Sequence, residues 1–182
     1  MLAELLNSSV ALAVMELAPS HPNVLFMSGQ PVSMEIAKRI ERDTAKYRNF
    51  WKFDFNSDAL AYSVRQVIAM LERDGHLKPK SKSIAFVTED TDFARSNMEY
   101  ITPLFKADGV SLVETVQIGH SDFYPQLSKL RAAQPDVVVS VFTAANSGIA
   151  FVRQLKEMRI TAPHVANYYP SLSEFSKGAG SS

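Results

Sequence analysis

The feature that most limits the fold of this chain is a regular alternation of apolar runs with helical patterns from Ser83 onward. The runs Ile84–Val87 and Val137–Val141 are continuously apolar, which is typical of strands buried on both faces of a parallel sheet. Strands that alternate with helices need crossover connections, so the pattern predicts an α/β fold with a parallel sheet and helices on both of its faces. The predicted strands are 83–88, 110–117, 136–142 and 164–167, and the predicted helices are 92–107, 124–133 and 146–158.

The chain before Ser83 has a less regular pattern. Its first residues lack the basic start of a secretory signal, and their apolar positions recur at helical spacing, so we predict an amphipathic helix over Leu2–Leu17. A strand over 23–28, a helix over 32–47 and a long helix over 58–74 follow. An aromatic segment precedes the long helix, and we expect it to pack in the core or between lobes rather than to form a stacking platform. Its members are Phe50, Trp51, Phe53 and Phe55.

Composition excludes several classes of function. Acidic and basic residues number 19 each, and this balance disfavours a nucleic-acid-binding protein, which needs a basic excess or patch. The absence of cysteine removes disulfides, thiolate catalysis and thiolate metal sites. The four histidines show no paired spacing and no glycine-rich phosphate loop occurs, so we expect no metal, no cofactor and no catalytic residues. These histidines are His21, His76, His120 and His164.

The residues predicted at the carboxyl ends of the strands are mostly hydroxyls, amides and aromatics. Ligands of open parallel sheets bind at these ends. Such side chains suit holding a small polar molecule better than breaking one. The candidates are Ser28 and Gln30 after strand 23–28, Thr143 and Asn146 after strand 136–142, and Asn167, Tyr168 and Tyr169 after the last strand.

An acidic stretch, VTEDTDFARSN, follows strand 83–88. Asp90 or Thr91 can cap the next helix, and Asp92 in its first turn complements the helix dipole, each effect being worth about 0.5–1 kcal/mol. Acid–base catalysis would need a second group with a displaced pKa. We therefore interpret this stretch as the start of a helix beside a ligand pocket rather than as a catalytic cluster.

The order and spacing of several segments resemble one known family. They are "SIAFVTEDTDFARSN", "GVSLVETVQIGHSDFYPQLSKLRAAQPDVVVSVFTAANSGIAFVRQLKEMRI", "LLNSSVALAVMELA", "NVLFMSGQP" and "YRNFWKFDFNSDA". Together they resemble type I periplasmic solute-binding proteins, and in particular the branched-chain amino acid receptors of ABC importers. The resemblance extends over nearly the whole chain, but whole receptors are considerably longer.

The resemblance implies one nearly complete lobe plus a remnant of the other. It places a partial first lobe and crossover at 1–54 and a Rossmann-like second lobe at 55–176. The low-complexity composition of residues 177–182 predicts a disordered tail. It also implies a periplasmic or extracellular, non-enzymatic receptor whose lobes close around a small polar ligand, such as an amino acid or a related carboxylate or amide. The partners would be the importer's permease and, through the exposed first-lobe remnant, a second copy of the chain.

The resemblance also assigns ligand contacts. Ser8 or Ser9, with Ser28 to Gln30, would bind the ligand from the first lobe, and Phe93 would lie over it. Thr143 to Asn146 and Asn167 to Tyr169 would contact it from the second lobe. The family often has a tyrosine in the first of these two loops and an acidic residue in the second, and this chain has neither at the matching positions, so the ligand's identity stays open.

Two alternatives to a receptor remain open at this point. One is a structural remnant that keeps the fold without a ligand. The other is a receiver-like phosphoacceptor domain, which also places carboxylates after an early strand. A receiver needs an aspartate at the end of a later strand and a lysine after another, and neither is found after 136–142 or 164–167.

Overall fold

The computed structural model describes residues 2–4 and 7–179, and it contains two parallel sheets, each with its own helices. In the first lobe three strands pair in the order β1-β2-β3. The elements of this lobe are β1 (Leu2–Glu4), α1 (Ser8–Met15), β2 (Leu25–Ser28), α2 (Met34–Arg42) and β3 (Phe50–Lys52).

The second lobe is built on four parallel strands in the order β5-β4-β6-β7. Each of the four strands lies within one residue of its predicted bounds at either end, and the predicted α/β architecture is confirmed. The elements are α3 (Ser57–Arg73), β4 (Ser83–Glu89), α4 (Asp92–Leu104), β5 (Gly109–Val116), α5 (Tyr124–Ala133), β6 (Val137–Phe142), α6 (Ala145–Glu157), β7 (His164–Tyr168) and α7 (Ser173–Ala179).

Alternate residues of the second sheet form two separate hydrophobic cores. On one face, side chains such as Phe86 and Val139 pack against α3 and α4. On the other face, side chains such as Val87 and Val138 pack against α5 and α6. Because successive residues of a strand point to opposite faces, a strand covered on both sides must be apolar throughout, and β6 is buried over its full length.

A buried pair of serines joins the two lobes. Ser57 Oγ, at the start of α3, lies 2.8 Å from Ser96 Oγ on α4 and 3.0 Å from the carbonyl oxygen of Val32. Ser96 Oγ also accepts a hydrogen bond from the backbone N–H of Met34 at 3.0 Å. The segment that leads into α2 is therefore held against the second lobe by bonds that each satisfy a buried polar group.

The predicted helix over Leu2–Leu17 is wrong in its first part. Leu2–Glu4 form a strand whose residues pair in parallel register with Leu25, Phe26 and Met27 of β2. The helix begins only after Asn7, whose side-chain oxygen accepts a hydrogen bond from the N–H of Val10 at 2.9 Å. A short apolar run fits a strand as well as a helix, and here the neighbouring strand decides between them.

The first lobe contains three strands and two helices, which is more structure than the remnant that the resemblance implied. The helix predicted over 32–47 ends at Arg42. The expected packing of the aromatic segment holds only for Phe50, which is buried in the first-lobe core. Trp51, Phe53 and Phe55 are exposed, so that part of the prediction is wrong.

The tail predicted to be disordered begins as a helix. Residues 177–179 belong to α7, which packs against α6. The carbonyl oxygen of Gly178 accepts a hydrogen bond from Arg153 at 2.5 Å, and a Cβ at Gly178 would lie 2.4 Å from Ile149 Cδ1. Packing against α6 thus holds residues 177–179 in a helix, although their composition favours disorder. Residues 180–182 lie outside the described part of the chain.

Among the described residues, every helix is too short or too polar to cross a membrane.

Replacement of Phe86 by alanine tests the core on the α3–α4 side. Phe86 is fully buried on the central strand β4, and its ring lies 5.9 Å from that of Phe105. We expect Phe86→Ala to lower the free energy of unfolding by about 3–5 kcal/mol, because a large cavity replaces the ring. Urea denaturation measures the change. Tyr62→Ala, on the exposed side of α3, serves as the control and should stay within about 0.5 kcal/mol of the parent; equal losses would contradict this assignment of the core.

Candidate ligand-binding site

Three loops meet at the carboxyl ends of β4, β5 and β6 in the second sheet. The hydroxyl of Thr91, after β4, lies 2.9 Å from the hydroxyl of Thr143, after β6. The side-chain amide of Asn146 lies beside Gly119, after β5, within 3.6 Å of where a Cβ there would sit. Since Thr143 is partly exposed and Asn146 exposed, this edge offers hydroxyl and amide groups to solvent.

The carboxylate of Glu89 holds these loops together by hydrogen bonds. Glu89 is the last residue of β4 and is only 1% exposed. Its two oxygens accept hydrogen bonds from the backbone N–H groups of Thr143 (2.6 Å), Ala144 (3.1 Å) and Gly119 (3.1 Å) and from the hydroxyl of Ser147 (2.5 Å). A buried carboxylate with this many donors is a structural group, and its hydrogen-bonding capacity is already used.

The role of Glu89 is not apparent from the sequence, where this residue stands in one acidic stretch with Asp90 and Asp92. The structure gives it a different position from theirs. The sequence signal for this role is a charged residue directly after the apolar run of β4. Because the strand continues through this residue, its side chain stays among backbone N–H donors.

The acidic residues that follow Glu89 begin a helix, as predicted. Thr91 is the N-cap of α4, and its hydroxyl accepts a hydrogen bond from the N–H of Ala94 at 3.1 Å. Asp92 lies in the first turn, and both Asp90 and Asp92 pair with the guanidinium of Arg95. Burial raises the pKa of Asp92, but hydrogen bonds from Ser9 and Arg95 outweigh it, so the pKa lies below its ordinary value.

Phe93, Asn167 and Tyr168 lie together at the end of β7. The rings of Phe93 and Tyr168 are 5.0 Å apart, and Asn167 donates a hydrogen bond to the side-chain oxygen of Asn97 at 3.4 Å. Phe93 and Asn167 are buried, whereas Tyr168 is partly exposed and burial raises its pKa. Tyr168 therefore presents the outer surface of this group, with Phe93 supporting its ring.

The backbone of Tyr168 is strained, since its φ of 76° and ψ of −64° lie outside the regions that L-residues favour. Strain of this kind is found mostly at functional sites, where the surrounding structure holds it in place. In Tyr168 it coincides with the partly exposed ring at the strand end.

The structure separates Tyr169 from the other candidates. Its ring is fully buried in the core beneath α6, 5.4 Å from the ring of Phe142, and its hydroxyl lies 2.8 Å from Ser140 Oγ and 3.4 Å from His164 Nε2. Burial raises the pKa of Tyr169 and lowers that of His164 from 6.5 to about 4. Because the side chain of Tyr169 has no exposed surface that a ligand could contact, we leave this residue out of the candidate site.

The four first-lobe candidates differ in their exposure. Ser9 is exposed and lies close enough to Asp92 to lower its pKa, so it faces the second lobe. Gln30 is exposed as well. Ser8 is buried, and its hydroxyl accepts a hydrogen bond from the N–H of Ser33 at 3.2 Å. Ser28 is buried, and its hydroxyl has no hydrogen-bond partner among the described residues.

A cavity of about 690 Å³ lies at the other edge of the second sheet, where the loops before β4, β6 and β7 meet. None of the candidate residues lines it. Its wall includes Asp136, whose carboxylate accepts hydrogen bonds from the N–H groups of Lys80, Ser81 and Ser83. Burial raises the pKa of Asp136, but these donors dominate and hold it at about 2. We place the ligand site at the carboxyl edge instead, because parallel sheets bind ligands there.

Two parallel sheets, each with polar side chains at the carboxyl ends of its strands, are joined by a crossover. A family model described as "Periplasmic binding protein" matches residues 1–179. The chain belongs to the periplasmic binding protein family, which confirms the resemblance found in the sequence. Among curated protein sequences, none matches this one at a significant level.

Solved structures show the same fold. A leucine-binding protein from Thermotoga maritima matches 99% of this chain over 47% of its own length, with a TM-score of 0.75 and 16% identity. A putative branched-chain amino acid ABC transporter protein from Silicibacter pomeroyi matches 96% over 50% of its length, with a TM-score of 0.67 and 19% identity. A solute-binding protein from R. palustris in complex with benzoate matches 91% over 42%, with a TM-score of 0.70 and 16% identity. The chain therefore spans about half the length of the structures that it matches.

Replacement of Glu89 by glutamine tests the role of its carboxylate. The amide keeps one acceptor oxygen but turns an N–H₂ group toward the remaining donors, so we expect Glu89→Gln to lower the free energy of unfolding by about 2–4 kcal/mol. Urea denaturation measures this change. Glu99→Gln, which removes a carboxylate in an exposed pair with Lys38, is the matched control and should cost no more than about 1 kcal/mol. An equal effect of both substitutions would show that Glu89 does not organise the loops.

The partly buried His164 predicts a dependence of stability on pH. Its pKa of about 4 in the folded state lies below the ordinary 6.5, so the unfolded state binds more protons between these values. Stability from this residue is therefore present above pH 6.5 and is lost as the pH falls toward 4. Urea denaturation at pH 7 and pH 5 should show a smaller decline for His164→Gln than for the parent. His76→Gln, at an exposed histidine, should decline as the parent does; equal declines in all three proteins would contradict the prediction.

Proposed function

We propose that this chain is a solute-binding receptor of an ABC importer and holds a small polar molecule at the carboxyl edges of its two lobes. The observation that carries the proposal is the meeting of hydroxyl and amide groups at this edge, with Ser9 of the first lobe beside Asp92 of the second. The side chains we assign to the ligand are Ser9, Gln30, Thr143, Asn146 and Tyr168. Behind them Ser8, Ser28, Phe93 and Asn167 support the site.

The chemistry of these groups supports binding rather than catalysis. Threonine and asparagine at the strand ends donate and accept hydrogen bonds near neutral pH without changing charge. The carboxylate nearest to them, Glu89, is committed to four donors. The proposal is therefore a receptor without enzymatic activity.

The ligand class we propose is a small carboxylate, such as an amino acid or an aromatic acid. The T. maritima structure is described as a leucine-binding protein, and R. palustris structures hold benzoate and 4-hydroxybenzoate. All of these ligands carry a carboxylate, which hydroxyl and amide donors recognise. Thr143 and Asn146 supply such donors, and the ring of Tyr168 supplies an apolar surface for the rest of the ligand.

The proposed partners are this ligand, the permease of the importer and, through the first lobe, a second copy of the chain. The permease would recognise the form in which the lobes have closed on the ligand. The proposed location is the periplasm or the extracellular space, where the family acts. A second candidate function is a structural module that has the fold without a ligand. It is favoured by the two second-lobe loops, which lack the tyrosine and the acidic residue that the family often has at the matching positions.

A thermal melt against a panel of compounds tests the receptor. We expect one class among amino acids, aromatic carboxylates and the corresponding amides to raise the midpoint, because a ligand that binds only the folded state stabilises it by mass action. Asn146→Ala should weaken binding of the active compound by about three- to tenfold, the value of one or two lost hydrogen bonds.

Ser128→Ala, an exposed substitution on α5 outside the candidate site, is the control and should leave affinity unchanged. A cooperative melt that no compound shifts would favour the ligand-free module. Binding that persists undiminished in Asn146→Ala would place the ligand elsewhere.

A further inference from the structure

The cavity of about 690 Å³ at the amino edge of the second sheet has a wall rich in positive charge. Lys78 and Lys80 lie before β4, Arg131 lies in the last turn of α5, and Arg159 follows α6. All four residues are exposed. None of them pairs with a carboxylate of the described residues. Four cations from three separate segments of the chain therefore surround one cavity.

The negative charge at this cavity is smaller than the positive charge. Asp136 is the one carboxylate among the described residues of its wall, and its oxygens accept hydrogen bonds from the N–H groups of Lys80, Ser81 and Ser83. The helices α3, α5 and α6 end beside the cavity, and each helix end carries about half a negative charge. Together these groups offset fewer than three of the four positive charges. The cavity therefore keeps an excess of positive charge, although the formal net charge of the whole chain is zero.

The rest of the wall combines apolar side chains with a hydroxyl group. Leu77, Leu130 and Pro135 are buried, and Ile160 is partly buried. Thr161 is exposed and carries the hydroxyl. The volume of the cavity falls within the range of about 300–1,000 Å³ that is usual for small-molecule sites. The cavity thus has room for the body of a small molecule, an apolar floor beneath it and cations at its mouth.

We propose that this cavity binds a small molecule that carries phosphate groups. The planar guanidinium of arginine forms paired hydrogen bonds with phosphate oxygens, and the ammonium of lysine adds a compact charge with three donors. The cavity has two residues of each type. A phosphate group carries up to two negative charges near neutral pH, so it matches the excess positive charge better than a single carboxylate does.

The shape of the site favours a free small molecule over the phosphates of a membrane. The headgroups of a bilayer lie in a plane and attract basic residues that share one surface. Here the cations surround a depression whose floor, formed by Leu77 and Leu130, is buried. A ligand that enters the depression can contact cations of more than one segment at once, which a flat surface does not allow.

The phosphate site is separate from the proposed solute site and does not depend on it. The cavity lies at the amino ends of β4, β6 and β7, whereas the solute site lies at the carboxyl ends of the same sheet. The six residues of β6 separate the two edges by about 20 Å. Failure of phosphate binding and failure of solute binding are therefore distinguishable, because each is measured with its own ligand and its own variants.

Isothermal titration calorimetry of the whole chain with pyrophosphate tests the proposal. We expect one pyrophosphate per chain at low salt and weaker binding at high salt, because salt screens the attraction between charges at an exposed site. Thr161→Glu adds a carboxylate to the wall and should weaken pyrophosphate binding at least about tenfold. Thr161→Gln has nearly the same size without the charge, so it is the matched control and should stay within about twofold of the parent.

A second pair of variants removes charge instead of adding it. Arg131→Gln should weaken pyrophosphate binding about tenfold, whereas Arg48→Gln, at an exposed arginine of the first lobe, should bind as the parent does. Circular dichroism should show that every variant is folded. A parent chain that does not bind pyrophosphate at low salt would overturn the proposal, and so would equal losses in both members of either pair. Sedimentation with phosphatidylglycerol vesicles without binding of pyrophosphate would also overturn it, since the cations would then serve a membrane surface.

Discussion

The carboxylate of Glu89 is the interaction on which the arrangement of the second lobe's binding edge depends. It stands at the end of the central strand β4, between β5 on one side and β6 on the other. From there it receives the N–H of Gly119 from one neighbour and the N–H groups of Thr143 and Ala144 from the other. A buried carboxylate must be satisfied, so the loops that satisfy it have little freedom. The side chains that these loops carry are therefore held in fixed positions by the protein itself.

The first lobe meets different requirements on the two sides of its sheet. Toward the second lobe, Ser57 donates a hydrogen bond to the carbonyl oxygen of Val32 and Ser96 accepts one from the N–H of Met34, so polar groups of both lobes satisfy one another across the contact. Away from the second lobe, the aromatic side chains of Trp51 and Phe53 are exposed to water, which is unfavourable for apolar surface.

Much of the second lobe could be predicted from local patterns. The runs Ile84–Val87 and Val137–Val141 are apolar at every position because both faces of these strands are buried, and this requirement is visible in the sequence. The start of α4 could also be predicted, since Thr91 has the side chain that an N-cap needs. Residues at the strand ends were harder to assign. Tyr168 and Tyr169 are neighbours, yet one lies partly exposed beside Phe93 and the other lies buried under α6.

The sequence by itself determined the α/β class, the order of strands and helices after Ser83 and the family, because each depends on spacing and residue type along the chain. The tertiary structure decided what depends on residues far apart in sequence. It made Leu2–Glu4 a strand, since β2 offers it a partner, and it separated Glu89 from Asp90 by turning one side chain inward to four donors and the other outward to Arg95. Burial and pairing are properties of neighbours in space, and the sequence lists only neighbours along the chain.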